Sequence, residues 1–407
     1  MGLVVQKFGG SSVATPQKML AAAKRAVKEF EAGNGVIVVV SAMGRQTDEL
    51  IDLAKKIHPE PDPRELDMLM AVGEQTSVAL MAMAIHSLGH KALSLTGAQA
   101  GIRTDSVSSK ARIKTIDTGR VRRELKNGRI VIVAGFQGVD LQDNITTLGR
   151  GGSDTTAVAL AAALEADRCD IFTDVDGIYT ADPRIVPSAR RMSRIDYDEM
   201  LELARLGAKV MHSRAVEIAK RFSVPFRVRP SAGEGEGTLV TSIEDMEQVD
   251  VRGAALETEE SKITMRDVPD RPGVAATIFG EIARNHVNVD MIVQNVSAKG
   301  KTDLSFTVPE TDIPAARRAA EKLSRELGAG HVEVDENVAK VSVVGVGMKS
   351  HSGVAEKMFG ALARGRINIQ MISTSEIKIS VVINADQGKK ALRAVHDAFG
   401  LGKARRR

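Results

Sequence analysis

The strongest constraint on the fold is an internal repeat in the last third of the chain. Five segments recur at a constant offset of 80 residues: Gly273-Val274-Ala275 with Gly353-Val354-Ala355, Phe279-Gly280 with Phe359-Gly360, Ala283-Arg284 with Ala363-Arg364, Asn288 with Asn368, and Met291-Ile292 with Met371-Ile372. Each unit has a glycine turn, an amphipathic helix, strand-like runs and a second helix. Because chance rarely keeps one register through so many matches, the repeat predicts two ferredoxin-like β-α-β-β-α-β modules.

The part of the chain before the repeat has a different pattern. Apolar, β-branched runs such as Val36–Val40 and Arg129–Ala134 alternate with helical stretches such as Pro16–Phe30 and Asp154–Leu164. Strands that are apolar on both faces are typical of a parallel sheet covered by helices on both sides. The sequence therefore predicts an α/β domain with a mainly parallel sheet, which ends close to the glycine-rich turn Gly233–Gly237.

Composition excludes several classes of protein. The 407 residues include no Trp and only two Tyr, so few aromatic side chains are available to stack on nucleic-acid bases. The net charge is only +4. The single cysteine, Cys169, cannot form an internal disulfide, and nothing in the sequence suggests a metal cluster. No signal peptide or membrane-crossing apolar run is evident. We expect a cytoplasmic protein that binds neither nucleic acid nor membrane.

Three glycine-rich segments stand where predicted strands end: Lys7–Ser12, Leu148–Thr156 and Thr173–Arg184. Glycines let backbone N–H groups approach an anion, and a following helix N-terminus adds positive potential. None of the three is a Walker A motif. Taken singly, a tight turn and an Asp-Gly turn explain the first and third segments about equally well. A helix cap at Ser153 or Asp154 could explain the second, but a cap does not require the adjacent Arg150-Gly151-Gly152.

Together, the motifs resemble one family closely. Their order along the chain matches aspartate kinases of the amino-acid-kinase superfamily, whose tandem C-terminal modules are ACT domains. The resemblance covers essentially the whole chain and rests on these segments: Lys7–Ser12, Ser41-Ala42-Met43, Gly73-Glu74-Gln75, Gly149–Thr155, Thr173–Arg184 and Gly207–His212. It implies an amino-acid-kinase catalytic domain over residues 1–245 and a regulatory region over 246–407. Within that region the first ACT module, about 261–336, is inserted in the second, about 247–260 plus 337–400.

The resemblance also implies an activity and site residues. The ATP γ-phosphoryl group would pass to the β-carboxylate of L-aspartate, the first step towards lysine, threonine and methionine, with Mg²⁺ accompanying ATP and no metal held by the protein alone. Lys7 and Asp154 would be catalytic. Aspartate would bind to Thr47, Glu74, Arg150, Gly151, Gly152 and Ser153. ATP would bind to Lys7, Phe8, Gly9, Gly10, Ser41, Thr173, Asp174, Tyr179, Arg184, Lys209 and Val210. His212 is expected to be structural.

Regulation is implied by the same resemblance. Lysine, threonine or both would bind at Asp270, Gly273, Val274, Ala275, Gln294 and Ser297 of the first module and at Asn368 and Ile369 of the second. On residues alone, a capped turn and an edge strand explain the first set equally well. The resemblance implies a homo-oligomer, at least a dimer. The position of Met246 raises the hypothesis of an α2β2 assembly with an internally initiated small subunit.

Two other functions remain open. One is a related kinase acting on another acid or on a nucleoside monophosphate, which the tandem modules and Gly149–Asp154 disfavour. The other is a catalytically inactive amino-acid sensor, which the presence of Lys7, Glu74, Arg150 and Asp154 disfavours.

Overall fold

The computed structural model describes residues 2–206, 210–243, 250–295, 300–346, 348 and 353–403. These residues form two packed units. In the described residues, the first unit comprises 2–178, 191–205 and 210–243, and the second comprises 179–190, Leu206 and everything from 250 onward.

A mainly parallel sheet organises the first unit. Its strands are β1 (Leu3–Phe8), β2 (Gly35–Val40), β3 (Ala92–Leu95), β6 (Ile130–Ala134), β9 (Arg168–Thr173), β10 (Arg194–Ile195), β11 (Phe226–Pro230) and β12 (Thr238–Val240). They lie in the order β10-β12-β11-β9-β1-β2-β6-β3, and only β11 and β12 pair antiparallel. Every residue of β2 and β6 is buried, because helices cover both faces of the sheet centre. The predicted fold class is thus confirmed.

The helices of this unit follow the predicted alternation with strands. They are α1 (Pro16–Glu31), α2 (Gln46–Ile57), α3 (Pro63–Ser87), α4 (Gly119–Lys126), α5 (Gly152–Leu164), α6 (Tyr197–Arg205) and α7 (Ser213–Arg221). α1 begins where Thr15 accepts a hydrogen bond from the Lys18 backbone and Pro16 occupies the first turn. α1 and α3 bury apolar faces against the sheet.

A small second sheet lies in the same unit. It contains β4 (Ile102–Thr104), β5 (Ile113–Ile116), β7 (Gln137–Val139) and β8 (Ile145–Thr147), in the order β5-β4-β7-β8. β8 leads directly into the glycine-rich segment before α5. Helix α3 packs against β8 and carries two buried carboxyl groups, Asp67 and Glu74.

Helix α3 also meets a simple membrane criterion. Among the residues that the structure describes, it alone forms a helix long and apolar enough to cross a bilayer. The core helices of water-soluble proteins meet the same criterion. The buried carboxyl groups on α3 and its packing into the first unit are typical of such a core helix.

Two ferredoxin-like modules make up most of the second unit, as the repeat predicts. The first contains β14 (Glu260–Pro269), α8 (Val274–Arg284), β15 (Ile292–Gln294), β16 (Lys301–Pro309), α9 (Ile313–Leu327) and β17 (Val332–Asp335), with strand order β15-β16-β14-β17. The second contains β13 (Asp250–Glu257), β18 (Val338–Val346), α10 (Gly353–Arg364), β19 (Met371–Thr374), β20 (Lys378–Asn384) and α11 (Gly388–Ala398), with strand order β13-β18-β20-β19. β13 therefore pairs with β18 although the whole first module lies between them in the chain.

One segment of the N-terminal half packs into the second unit. Within Tyr179–Arg190, the carbonyl oxygen of Thr180 accepts a 2.8 Å hydrogen bond from the backbone of Ala254. The Thr180 hydroxyl lies 3.1 Å from Nε2 of the buried His396, and Arg190 Nε donates to the Leu401 carbonyl over 3.2 Å. The predicted domain boundary at residue 245 falls outside the described residues and does not account for this segment.

Candidate active site

The carboxyl ends of three neighbouring strands bring three predicted segments together. β1 lies between β2 and β9, and Lys7 is opposite Val39 and Ile171. Gly9 N donates to the Phe172 carbonyl over 3.3 Å, and Ser41 N donates to the Phe8 carbonyl over 3.1 Å. The Gly9-Gly10 turn therefore lies between Ser41 and Thr173, at the sheet edge where α/β proteins bind ligands.

Lys7 and Asp154 form a buried ion pair at this edge. The Nζ atom of Lys7, near the end of β1, lies 2.5 Å from Oδ1 of Asp154, in the first turn of α5. Lys7 is 8% exposed and Asp154 is 7% exposed. Low exposure strengthens the attraction between the charges and fixes the ammonium group in one place.

The two glycines after β1 allow the backbone to pass close to its neighbours. A Cβ atom on Gly10 would lie 2.7 Å from the Ala42 carbonyl oxygen, so no side chain fits there. A Cβ on Gly9 would lie 3.5 Å from Lys7 Nζ. Phe8 faces the other way, buried and stacked on Phe172 with ring centroids 4.8 Å apart. A ligand at this turn would therefore meet the backbone of Phe8, not its ring.

The segment before α5 is shaped by glycines in the left-handed conformation. Gly151 caps α5 with φ of 69°, and Gly149 has φ of 76°. Ser153 is buried against Gly135 at the end of β6, where any Cβ would come within 2.7 Å of its hydroxyl. Arg150 is exposed. The segment thus combines a helix N-terminus, a buried hydroxyl and an accessible guanidinium group.

Glu74 is a buried carboxyl group beside the glycine turn. Its Oε1 accepts a 3.0 Å hydrogen bond from the Ala42 backbone, its Oε2 has no hydrogen-bond partner among the described residues, and the residue is 3% exposed. Burial raises the pKa of Glu74 from about 4.5 to about 7, and the Ala42 hydrogen bond opposes that rise. A buried carboxyl oxygen without a hydrogen-bond partner can accept a hydrogen bond from a cationic group of a ligand. Thr47, on α2, is half-buried.

His212 is not placed as a metal ligand. Its ring packs over Gly151, where a Cβ would come within 2.2 Å of the His212 Cβ, and its Nδ1 accepts from the Arg214 backbone as the N-cap of α7. Burial, and then the Arg214 charge, lower the pKa of His212. The described residues contain no group of three or more His, Cys, Asp or Glu side chains arranged around one point.

The other predicted ATP residues are distributed over several places. Thr173 is half-buried and donates to the exposed Asp174 over 3.1 Å. Val210 is half-buried, whereas Lys209 lies outside the described residues. Tyr179 and Arg184 belong to the second unit, where the exposed Arg184 pairs with Asp182 at 2.7 Å. Their roles in binding ATP remain predictions.

Two residues of this region were not predicted from the sequence. Asp67, fully buried on α3, accepts hydrogen bonds from Ser109 and Thr147. Arg214, on α7, donates to the carbonyls of Leu148 and Ala111. A signal for Asp67 did exist: it lies seven residues before Glu74, so both carboxyl groups share one face of the helix.

The predicted effector residues of the first module line a cavity of about 370 Å³. Asp270, Gly273, Val274 and Ala275 come from the start of α8, and Gln294 comes from β15. Gly273 has φ of 92°, a conformation that favours glycine. Ser297 lies outside the described residues. Asn368 and Ile369 lie in the second module and do not line this cavity.

Comparisons with known proteins agree with this geometry. Residues 2–230 match the model of the amino acid kinase family, and residues 263–328 and 341–399 each match an ACT domain model. The chain is 54% identical to an aspartate kinase of Stutzerimonas stutzeri over 403 residues, covering 98% of both chains. It is 50% identical to aspartokinase 2 of Bacillus subtilis, covering 99% of both.

Solved structures give the same result. The crystal structure of Escherichia coli aspartokinase III in complex with aspartate and ADP matches with a TM-score of 0.82 and 27% identity, over 97% of this chain and 99% of that one. The aspartate kinase of Synechocystis matches at 42% identity with a TM-score of 0.56, over 100% of this chain and 70% of that one. The chain therefore belongs to the aspartate kinase family, phosphotransferases of the amino-acid-kinase fold that use ATP and carry tandem ACT domains.

Proposed function

We propose that this chain transfers the γ-phosphoryl group of ATP to the β-carboxylate of L-aspartate, forming 4-phospho-L-aspartate. The observation that carries the proposal is the buried Lys7–Asp154 pair, which lies at the same sheet edge as the Gly9-Gly10 turn and the start of α5. The product would enter the synthesis of lysine, threonine and methionine, and we expect the enzyme in the cytoplasm.

Aspartate would be held by groups of opposite charge. The unpartnered Oε2 of Glu74 suits the α-ammonium group. Arg150 and Ser153 suit a carboxylate, because a guanidinium group can bind it with two parallel hydrogen bonds. Thr47 and the backbone of Gly151 and Gly152 would complete this site. Glu74 and Ser153 are both buried, so the ligand would exchange water for fixed polar groups.

ATP would bind along the ends of β1, β2 and β9. The backbone of Phe8, Gly9 and Gly10 would lie beside the phosphates, and Lys7 would meet the transferring group. Ser41, Thr173, Asp174, Tyr179, Arg184, Lys209 and Val210 would line the rest of the site. The close approach of Gly10 to Ala42 supports this, since only glycine lets the turn pass so close to the chain that follows β2, where the phosphates would lie.

The chemistry requires charge neutralisation more than proton transfer. A free carboxylate has a pKa near 4 and is ionised at neutral pH, so the nucleophile needs no general base. The barrier arises from bringing two anions together. Lys7 and the backbone N–H groups would stabilise the charge on the transferring phosphoryl group, and Asp154 would hold Lys7 in place. Asp154 would therefore not accept a proton in the reaction.

A magnesium ion fits this site as a partner of ATP. Magnesium is usually bound by one or two carboxylates together with substrate phosphates. The described residues offer no cluster of three ligands, and Asp154 is the buried carboxylate at the strand ends. Asp154 and the ATP phosphates would therefore hold the ion, whose charge would offset that of the phosphates when bound.

Lysine, threonine or both would inhibit the enzyme from the second unit. The cavity at the start of α8 supports this, because Asp270 can accept an ammonium group and the helix N-terminus can accept a carboxylate. Ser297, Asn368 and Ile369 would contribute to effector binding. A homo-oligomer is proposed because the edge strands β15 and β19 expose Ile292 and Ile372, 51% and 45% respectively. An α2β2 form with a small subunit starting at Met246 is the alternative assembly.

Hydroxamate formation from L-aspartate, ATP, magnesium and hydroxylamine tests the reaction directly, because hydroxylamine captures an acyl phosphate. The proposal expects hydroxamate with L-aspartate. Product from another acid or a nucleoside monophosphate would identify the related kinase. Absence of product from a folded protein that still binds lysine or threonine would identify the inactive sensor. Repeating the assay with lysine and threonine, singly and together, identifies the effector.

A further inference from the structure

Asp67 is a buried carboxyl group that the proposed chemistry does not use. It lies on α3 with no measurable exposure. Its Oδ2 accepts from the backbone N–H of Ser109 over 2.9 Å and from that of Thr147 over 3.0 Å. Its Oδ1 accepts from the Thr147 hydroxyl over 2.6 Å and from the Ser109 hydroxyl over 3.3 Å. A carboxyl group so fully satisfied by neutral donors is a structural tie between segments.

The segments that Asp67 ties together lead to the proposed aspartate site. Thr147 is the last residue of β8, and the glycine-rich segment Leu148–Ser153 follows at once. Ser109 supports the same segment from the side, because a Cβ on Gly149 would lie 2.8 Å from the Ser109 carbonyl oxygen. Asp67 therefore holds Leu148–Ser153 in place in two ways. One is the end of β8 at Thr147, and the other is the backbone contact between Ser109 and Gly149.

Arg214, on α7, holds the same segment through two further hydrogen bonds. Its Nη1 donates to the Leu148 carbonyl over 2.5 Å, and its Nη2 donates to the Ala111 carbonyl over 2.7 Å. The Ala111 backbone in turn donates to the Thr147 carbonyl over 2.9 Å. Two charged side chains, one on α3 and one on α7, thus fix a stretch of chain that contains left-handed glycines and would otherwise move easily.

Helix α3 connects this tie to Glu74. Seven residues separate Asp67 from Glu74, so their side chains share a helix face and lie about 10.5 Å apart along the axis. The hydrogen bonds of Asp67 to Thr147 fix the position of α3 relative to β8, and Glu74 lies on the same helix. The hydrogen bonds of Asp67 consequently set the separation between Glu74 and Ser153.

From this geometry we infer that Asp67 is a positioning residue that determines which amino acid the site accepts, with Arg214 as its counterpart. The inference rests on the proposed function, in which Glu74 holds the ammonium group and Arg150 and Ser153 hold a carboxylate. Asp67 and Arg214 hold the segment that carries Arg150 and Ser153, whereas Glu74 lies on α3, so a change in that segment alters the spacing between the two groups of ligands. A looser segment recognises aspartate less well and discriminates less against a dicarboxylic amino acid one methylene longer.

The main test is Asp67→Asn. The substituted amide points a donor at the N–H groups of Ser109 and Thr147, so at least one of them loses its acceptor. We expect KM for L-aspartate to rise about tenfold or more, KM for ATP to stay within about twofold, and the preference for aspartate over glutamate to fall. A role limited to general folding would not move one KM alone.

Asp140→Asn is the matched control. Asp140 is also buried, 3% exposed, and also accepts two backbone hydrogen bonds, from Gln142 and Asn144 over 2.9 Å. Both donors lie in its own turn, so this variant has a comparable chemical change without a tie to Leu148–Ser153. We expect its kinetic constants and its aspartate preference to match those of the wild-type enzyme.

Thr147→Val provides a second test of the inference if Asp67→Asn fails to fold. Valine has the shape of threonine and suits a strand, but it removes the 2.6 Å hydroxyl donor. We expect a smaller shift of the same kind, about threefold in KM for aspartate alone. An unchanged KM for aspartate in the folded variants, or equal rises in both KM values, overturns the inference. Wild-type enzyme that forms no hydroxamate from aspartate contradicts the proposed function itself.

Discussion

The side chain of Asp154 lies 2.5 Å from the ammonium group of Lys7, and both are nearly excluded from water. The pair connects the end of β1 to the start of α5, and a glycine-rich segment lies at each of these two places. A cation held in this way can face a phosphate without the entropic cost of ordering a flexible lysine at the moment of reaction. The first two predictions depend on this pair.

Replacing Lys7 with Ala should lower kcat by at least about a hundredfold, which corresponds to about 2.7 kcal/mol of barrier. The variant loses the charge that stabilises the transferring phosphoryl group. The measurement is the hydroxamate assay at saturating aspartate and ATP. Lys28→Ala is the control, because the Lys28 side chain is 77% exposed and pairs only with Glu234 in the described structure. Near-normal turnover in folded Lys7→Ala enzyme would remove Lys7 from the mechanism.

Asp154→Asn should lower kcat without changing the shape of its pH profile, because Asp154 positions Lys7 and does not carry a proton. The measurement is kcat for both enzymes between about pH 5.5 and about pH 9, where catalytic acids and bases commonly titrate. An acidic limb that is present in the wild-type profile and lost in this variant would assign Asp154 as a general base.

Binding of aspartate should depend on pH through Glu74. Burial raises the pKa of Glu74 to about 7, so the free enzyme carries a partly protonated carboxyl group at neutral pH. Only the ionised form can hold an ammonium group. KM for aspartate should therefore rise as pH falls below about 7, and calorimetry in buffers of different ionisation enthalpy should detect proton release on binding. Absence of proton release at pH 7 would contradict the assignment.

Stability provides a separate check on Glu74. Its raised pKa favours the folded state below about 4.5 and costs stability as pH rises through about 7. Glu74→Gln stays neutral throughout, so the free variant should gain about 3 kcal/mol relative to the wild type between pH 5 and pH 8. Denaturant unfolding at several pH values measures the difference. A constant difference across this range would mean that Glu74 titrates normally.

Asp270→Asn should weaken inhibition by lysine or threonine at least about tenfold while leaving uninhibited kcat unchanged. Asp270 lines the cavity at the start of α8 and offers the charge that an effector ammonium group requires. Inhibition curves measure the change. Asp386→Asn, at an exposed position of the second module, is the control. Equal sensitivity in the Asp270 variant and the wild type would exclude this cavity as the inhibitory site.

The fold was largely predictable because its signals are local or repeated. Runs such as Val36–Val40 can only be buried strands, and the 80-residue repeat specified two modules without further information. Catalytic roles for Lys7 and Asp154 were implied by the family resemblance alone, since no local pattern connects residues so distant in sequence.

The rest required three-dimensional contacts. In the sequence Asp67 is one of several charged residues on α3, and only the fold brings Ser109 and Thr147 to it. Arg214 donates to two carbonyl oxygens, which have no sequence signature. Phe8 belongs to a phosphate-binding motif by position, but its ring packs in the core. Side chains that act through other residues are therefore the part of a site that sequence patterns predict least well.

The packing of Tyr179–Arg190 into the second unit limits how this protein can be divided. A small subunit that starts at Met246 would be made without Thr180 and Arg190, and so would leave the buried ring of His396 and the Leu401 carbonyl without those partners. Such a subunit would have to recruit the missing segment from a full-length chain. Engineers who exchange regulatory halves between relatives should transplant this stretch as well, because its partners His396 and Leu401 belong to the regulatory half.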